Sequence, residues 1–263
     1  MITLVSSHPF IASIILSVIV NLFFFTIAFS FKTDKVTDLS YSLSFVLLAP
    51  LLLLSSGSDY SVMQFIVTSL IILWGIRLGY YLLKRILITK TDERFDDKRN
   101  NPANLVRFWI LQTVAVWLIM LPYSYFLTLR GNIEFNIISI IGFTIFLTGF
   151  IIEIISDRQK FNFKNNPENK GRWMEKGLWK YSRHPNYYGE ILLWWGLFVT
   201  TIPFQKGLSF ITVLGPIIIT LLLLFVSGIP LLEKSADKKY GNNQDYILYK
   251  KTTSLLVLLP KRK

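Results

Sequence analysis

Long apolar runs, separated by short polar segments, recur along nearly the whole chain. They lie at roughly 9–31, 39–55, 62–84, 105–128, 136–156, 186–203 and 207–231. A helix rises about 1.5 Å per residue and the hydrocarbon core of a bilayer is about 30 Å thick, so about 18 or more apolar residues predict a membrane-spanning helix. Lipid gives the backbone no hydrogen-bond partner, which restricts such runs to helices. The second run is short and holds Pro50. Between the runs stand turn residues: Thr33-Asp34-Lys35, the stretches 55–58 and 99–104 with Pro102, Arg130-Gly131-Asn132, and 203–207. Tyr60, Tyr123, Tyr125 and Trp173 fall near run ends, where interfacial aromatics are expected. There is no internal repeat. The pattern predicts an all-α protein, a multi-pass transmembrane helical bundle of about seven spans, in one membrane domain over 1–263.

Composition agrees: 52% of residues are hydrophobic and the mean hydropathy is +0.47. The net charge of +12 would point to nucleic acid in a soluble protein. Here the cations alternate between loops, so the partner they imply is a lipid membrane and no nucleic acid. Lys84, Arg85, Lys90, Arg94, Lys98, Arg99 and Arg107 fill one loop. Arg158, Lys160, Lys164, Lys170, Arg172, Lys176, Lys180 and Arg183 fill another, and lysines crowd the tail after residue 233. The loops between hold only Arg130 and Lys206. The positive-inside rule then predicts the N-terminus outside and the C-terminus cytoplasmic. The first run has no early Lys or Arg and no small-residue cleavage site, so it is expected to be a retained helix rather than a signal peptide. The chain has no cysteine, which excludes disulfides, zinc-thiolate sites and thiol catalysis. His8 and His184 are too few for a histidine-built metal site, and no metal is expected.

Charge within an apolar run is expensive and marks function by default. Glu153 and Asp157, four apart, share a helix face at the end of the fifth run. The plainer reading is that they face water. The sixth run opens Tyr181-Ser182-Arg183-His184-Pro185-Asn186-Tyr187-Tyr188-Gly189-Glu190. Pro185 suits the first turn of a helix, whose free N–H groups and dipole favour an anion. Arg183 adjoins that start, with Lys170 and Arg172 in the preceding loop, and arginine can grip phosphate with two parallel bonds. Asn186 and Glu190 are one turn apart, and a carboxylate that deep requires a partner or a polar cavity. Helix caps alone would explain Pro185 and His184, but not Asn186 with Glu190. Gly189 permits a close backbone approach. Glu233 closes the last run, and Tyr240, Tyr246 and Tyr249 follow among lysines; an interfacial amphipathic helix is the plainer reading of that tail.

The stretch Gly171-Arg172-Trp173-Met174-Glu175-Lys176-Gly177-Leu178-Trp179-Lys180-Tyr181, running into Glu190, resembles the C-terminal signature of the steroid 5-alpha reductase superfamily, and most closely a mostly bacterial branch of it. Ser156-Asp157-Arg158-Gln159-Lys160, Trp74-Gly75-Ile76-Arg77-Leu78, and Gly228-Ile229-Pro230-Leu231-Leu232-Glu233 with Lys239-Tyr240-Gly241 fit the same branch. The resemblance runs from about residue 38 to the end, with the reductase-like signature at about 137–260. It implies a seven-helix membrane fold whose cytoplasmic cavity holds NADPH, the hydride donor to a carbon–carbon double bond. The implied cofactor residues are Asp157, Arg172, Tyr181, Arg183, His184, Asn186, Tyr187, Glu190, Glu233 and Tyr240.

The substrate half departs from the family. Steroid reductases polarise the substrate carbonyl with a glutamate of the second helix and a tyrosine of the third. Here Trp74 falls near the tyrosine position and the second run has no glutamate. Asp38, Tyr80 and Tyr81 are the nearest substitutes and the expected catalytic residues. Isoprenylcysteine and phospholipid methyltransferases carry a similar Arg-His-Pro-x-Tyr-x-Gly segment and use S-adenosylmethionine; they generally lack the pairing of Asn186 with Glu190. A non-catalytic protein of the same fold is the third reading. The expectation is thus an NADPH-dependent reductase of a lipid, steroid or polyprenoid-like substrate entering from the bilayer. It would sit in a bacterial inner membrane, or in the endoplasmic reticulum of a eukaryote.

Overall fold

The computed structural model describes residues 8–31, 35–57, 60–89, 102–131 and 133–261. The basic residues Lys90, Arg94, Lys98 and Arg99 lie outside the described residues. Helices follow one another: α1 (Pro9–Ser30), α2 (Lys35–Ser55), α3 (Val62–Thr89), α4 (Pro102–Ile119), α5 (Leu121–Phe126), α6 (Ile137–Asn165), α7 (Pro185–Thr201), α8 (Leu214–Leu221), α9 (Ile229–Tyr240) and α10 (Gln244–Thr252). Among the described residues there is no strand. Four stretches are helical, long and apolar enough to cross a membrane: Phe10–Ser30, Val62–Ile88, Ile137–Asn165 and Gly207–Tyr240. Leu39–Ser55 and Ala103–Ile119 are shorter apolar helices. This is the architecture of a helical membrane protein. The run at 207–231 is not one regular helix. A 3-10 segment (Gly207–Val213) leads into α8, a π turn follows at Leu222–Val226, and α9 starts afresh after Gly228.

The chain divides into two compact units, residues 1–140 with 197–218 and residues 141–196 with 219–263. In the first unit polar side chains tie the apolar helices. Lipid tails are as apolar as leucine, so helix association rests on close packing and on hydrogen bonds between helices. Gln112 of α4 donates to Asn21 Oδ1 of α1 at 2.9 Å and to Ser40 Oγ of α2 at 2.8 Å. Helices α2 and α3 meet at small residues: a Cβ on Gly75 would lie 2.7 Å from Val46, and one on Gly79 2.8 Å from Ser42 Oγ. Trp74 is fully buried there, edge-on to Phe45 at 5.2 Å. Pro50 lies inside α2. Tyr123 donates to the neighbouring Ala49 carbonyl at 2.8 Å and shares a 2.7 Å bond with Thr68 Oγ1. Tyr123 is therefore a core residue and not the interfacial aromatic its position suggested.

Candidate functional site

The second unit gathers the polar constellation, and glycines make that possible. A Cβ on Gly189 of α7 would lie 2.6 Å from the Gly149 carbonyl and 2.7 Å from the Glu153 amide of α6. One on Gly149 would lie 2.6 Å from the Leu193 amide. Only glycine lets the two backbones come this close. The contact brings Glu153 beside the first turns of α7 and leaves Glu153, Asp157 and Glu190 all buried. Each of the three has an interaction partner, as buried carboxylates require.

The start of α7 is built by the tail. Arg183 N–H donates to Ser254 O at 2.8 Å, Ser182 Oγ to Leu256 O at 2.6 Å, and Leu259 N–H to Tyr181 O at 3.2 Å. Ser182 and Ser254 form a parallel bridge. These bonds fix residues 181–183 just before Pro185, and Ser182 Oγ then accepts the His184 amide at 3.1 Å.

Around that start the charges are paired. Arg183 Nη1 meets Glu233 Oε2 in an ion pair, and His184 Nε2 lies 2.8 Å from Glu233 Oε1. Lys250 stands 3.2 Å from Glu233 and 2.6 Å from Asp237. Burial works against the charge on Lys250, but its bonds to the two acids outweigh that and raise its proton affinity. Tyr246 donates to Asp237 Oδ1 at 3.1 Å, and burial together with this carboxylate pushes its phenol up. Burial lowers the pKa of His184; Glu233 opposes this, while Lys160 and Arg183 reinforce it. The imidazole is thus neutral near pH 7 and carries its proton on Nε2, toward Glu233. Its Nδ1 is then an acceptor, buried and without a hydrogen-bond partner. Asn186 Oδ1, Arg183 Nε and Trp173 Nε1 are buried without partners too. A few such groups close together call for an explanation, and a ligand is one. The His184 ring stacks parallel on Tyr187, centroids 5.9 Å apart.

The loop before α7 folds over an aromatic cluster. Trp173 lies 5.8 Å from Tyr240 and 5.4 Å from Tyr246 by ring centroids. Tyr240 OH donates to Arg172 O at 3.1 Å, and Tyr249 OH to Trp179 O at 2.9 Å. A cavity of about 690 Å³ opens here, lined by Arg172, Trp173, Lys176, Asn243, Tyr249 and Lys261 among others. A second, of about 380 Å³, lies between Arg183, Lys250, Lys251 and the tail.

The ten expected cofactor residues all belong to this unit. Arg183, His184 and Glu233 touch directly, Tyr187 joins through His184, and Tyr240 joins Arg172 through its carbonyl. Asp157 and Glu190 are buried, Asn186 is half-buried, and Tyr181 is exposed with its carbonyl holding the tail. Sequence reasoning missed Asp237, Lys250 and the tail segment 254–259. The spacing of Glu233 and Asp237, one helical turn apart, was a usable signal for the first; nothing in the sequence marked the others. The expected catalytic residues belong to the first unit. Tyr80 on α3 is 66% exposed and Tyr81 half-buried. Asp38 falls on α2, but its side chain lies outside the described residues. Among the described residues no three His, Cys, Asp or Glu side chains could hold a metal ion.

Residues 24–253 match the model of a family described as a protein of unknown function, DUF1295. No curated protein and no solved structure matches the chain.

Proposed function

We propose, on the premise that this chain belongs to the DUF1295 family, that it is a membrane-embedded NADPH-dependent reductase of a carbon–carbon double bond in a hydrophobic substrate. On this reading the family sits within the steroid 5-alpha reductase-like superfamily, whose signature the stretch from Gly171 to Glu190 resembles. The chain would cross the membrane about seven times, N-terminus outside and C-terminus cytoplasmic, in a bacterial inner membrane.

The observation that carries the reading is the set of buried, unpartnered polar atoms around the start of α7: Arg183 Nε, His184 Nδ1 and Asn186 Oδ1. A dinucleotide needs cations for its phosphates, and acceptors for its ribose hydroxyls and carboxamide N–H₂. The residues present fit that demand. Arg183 and Arg172 would neutralise phosphate, helped by the helix N-terminus. His184 Nδ1 and Asn186 Oδ1 offer acceptors, with Tyr187 fixing the His184 ring and Glu190 one turn beyond Asn186. Asp157, Tyr181, Glu233 and Tyr240 complete the expected cofactor set. When bound, NADPH supplies hydride to one carbon of the double bond. Among the chain's own groups, Glu233 holds the His184 tautomer and the glycine contact between α6 and α7 sets Glu153 beside the first turns of α7. Asp38, Tyr80 and Tyr81 are the residues expected to polarise the substrate carbonyl, and the reduction takes up one proton at the other carbon.

The test is direct. Protein purified in mild detergent is analysed by mass spectrometry for retained small molecules, and its melting temperature is followed against added NADPH. A rise in melting temperature with NADPH is expected, by mass action on the folded state. Retained S-adenosylmethionine, with stabilisation by that compound alone, would make the protein a methyltransferase. No stabilisation by either would favour a non-catalytic role.

A further inference from the structure

Beyond the bonds that build the start of α7, the tail presents an exposed face of its own. After α10 the chain leaves the helix and bends through residues 255–257, and its exposure alternates from residue to residue. Leu255, Val257 and Leu259 are 39%, 41% and 45% exposed, while Ser254, Leu256 and Leu258 between them are half-buried. Three apolar side chains within five residues are therefore exposed together. The segment itself is held in place, since Ser254, Leu256 and Leu259 are bonded to residues 181–183.

Two further features say what covers this face. The bonds to Tyr181, Ser182 and Arg183 hold the tail at the residues where the apolar helix α7 begins, two to four positions before Pro185. In the topology proposed above α7 enters the membrane from the cytoplasmic side, which puts its start at the boundary between hydrocarbon and headgroups, where amphipathic segments lie. Cations bracket the apolar face: Lys251 is exposed at its start, and Lys261 is exposed just past its end, over the Tyr249 ring at 5.8 Å. Lys250 is committed to Glu233 and Asp237, so Lys251 and Lys261 remain to meet an outside anion.

We propose that the segment Leu255–Leu259 docks on an anionic bilayer surface, its apolar face entering the headgroup boundary and Lys251 and Lys261 pairing with lipid phosphates. This does not depend on which reaction the protein catalyses. Docking would brace the turn that carries Arg183 and His184 from the lipid side, because the same segment forms one wall of the cavity beside Arg183.

The chain has no cysteine, so single spin labels can be placed cleanly. The full-length protein is reconstituted in phosphatidylcholine vesicles with or without phosphatidylglycerol. A label at Val257→Cys, repeated at Leu255→Cys in case either variant folds poorly, is compared with one at the exposed Asp245→Cys. Collision with oxygen, which concentrates in lipid, is read against collision with a water-soluble nickel chelate. Labels at 255 and 257 are expected to favour oxygen in the anionic vesicles and the label at 245 to favour nickel. Lys251→Glu with Lys261→Glu should lower the preference for anionic vesicles roughly fivefold or more per charge. A label at 257 as open to nickel as the one at 245 overturns the proposal. So does one shielded from both probes, as a second copy of the chain would shield it, or one at equal depth in both vesicle types.

Discussion

Arg183 and Glu233, fifty residues apart in the chain, meet as an ion pair just before α7. Their side chains are 14% and 18% exposed, so solvent screens the pair only in part. The carboxylate also holds the neutral His184 and Lys250. One acid thus organises the three residues that shape the helix start, and removing it strands Arg183 with a charge that water reaches poorly. Glu233→Gln should therefore destabilise by about 1–3 kcal/mol, the range for losing one partner of a poorly solvated charged hydrogen bond. Arg183→Met added to Glu233→Gln should recover part of that loss, because no lone charge is left behind. A thermal-melt double-mutant cycle reads the coupling, and strictly additive losses would exclude it.

His184 gives the stability a pH dependence. Burial depresses its folded-state pKa below the ordinary 6.5. Between that lower value and 6.5 the unfolded chain binds a proton that the folded chain refuses. Stability is then complete above 6.5 and declines as pH falls below it. Melting temperatures should drop between pH 7.5 and 5.5, and the drop should be smaller in His184→Gln. An unchanged pH profile in that variant would show that His184 is not the group responsible.

The approach of α6 to α7 depends on having no side chain at two positions. Gly189→Ala would push a methyl into the Gly149 carbonyl and the Glu153 amide, both backbone atoms that cannot rotate away. Overpacking of this kind costs about 1–3 kcal/mol. The melting temperature should fall, and any ligand bound at the helix start should bind more weakly, since Glu153 and Glu190 flank the contact. By contrast Gly75→Ala meets the end of a Val46 side chain first, and should be milder.

Glu190 separates a ligand residue from a tolerated one. If it binds NADPH, Glu190→Gln keeps the fold and loses most cofactor affinity, and Glu190→Leu removes the NADPH-dependent rise in melting temperature. Arg183→Ala and Arg172→Ala should weaken NADPH more than NADH if either reads the 2′-phosphate. A Glu190→Leu protein that is more stable and still binds NADPH would overturn this assignment.

Orientation is tested by labelling. Lys176→Cys should be protected from an impermeant thiol reagent in intact cells and Lys206→Cys should react, because Lys and Arg counts alternate between loops. The opposite result inverts the topology.

Several features could be read along the chain because their causes are local. Helix hydrogen bonds close within four residues, and the apolar runs are long enough to stay helical in lipid whatever they touch. Hence α1, α3 and α6 appear where the runs predict them, and α2 forms despite Pro50. Pro185 marks the start of α7 because proline constrains its own backbone. Tyr246 and Tyr249 share a buried face because three residues nearly complete a turn. Hydropathy found the apolar stretch at 207–231 but not its irregularity, since it reports transfer into lipid and not where the hydrogen-bond ladder breaks; the π turn and the restart after Gly228 are invisible to it.

The sequence by itself determined the class of protein, the helices and the stretch in which the polar residues would matter. The tertiary structure decided which of those residues meet. That Arg183 finds Glu233, that Ser254 and Leu256 build the turn before Pro185, and that Gly189 lies on Gly149 depend on contacts across 40 to 74 residues. No periodicity encodes such a meeting. It is fixed by how close two backbones can come and by the need of every buried charge for a partner.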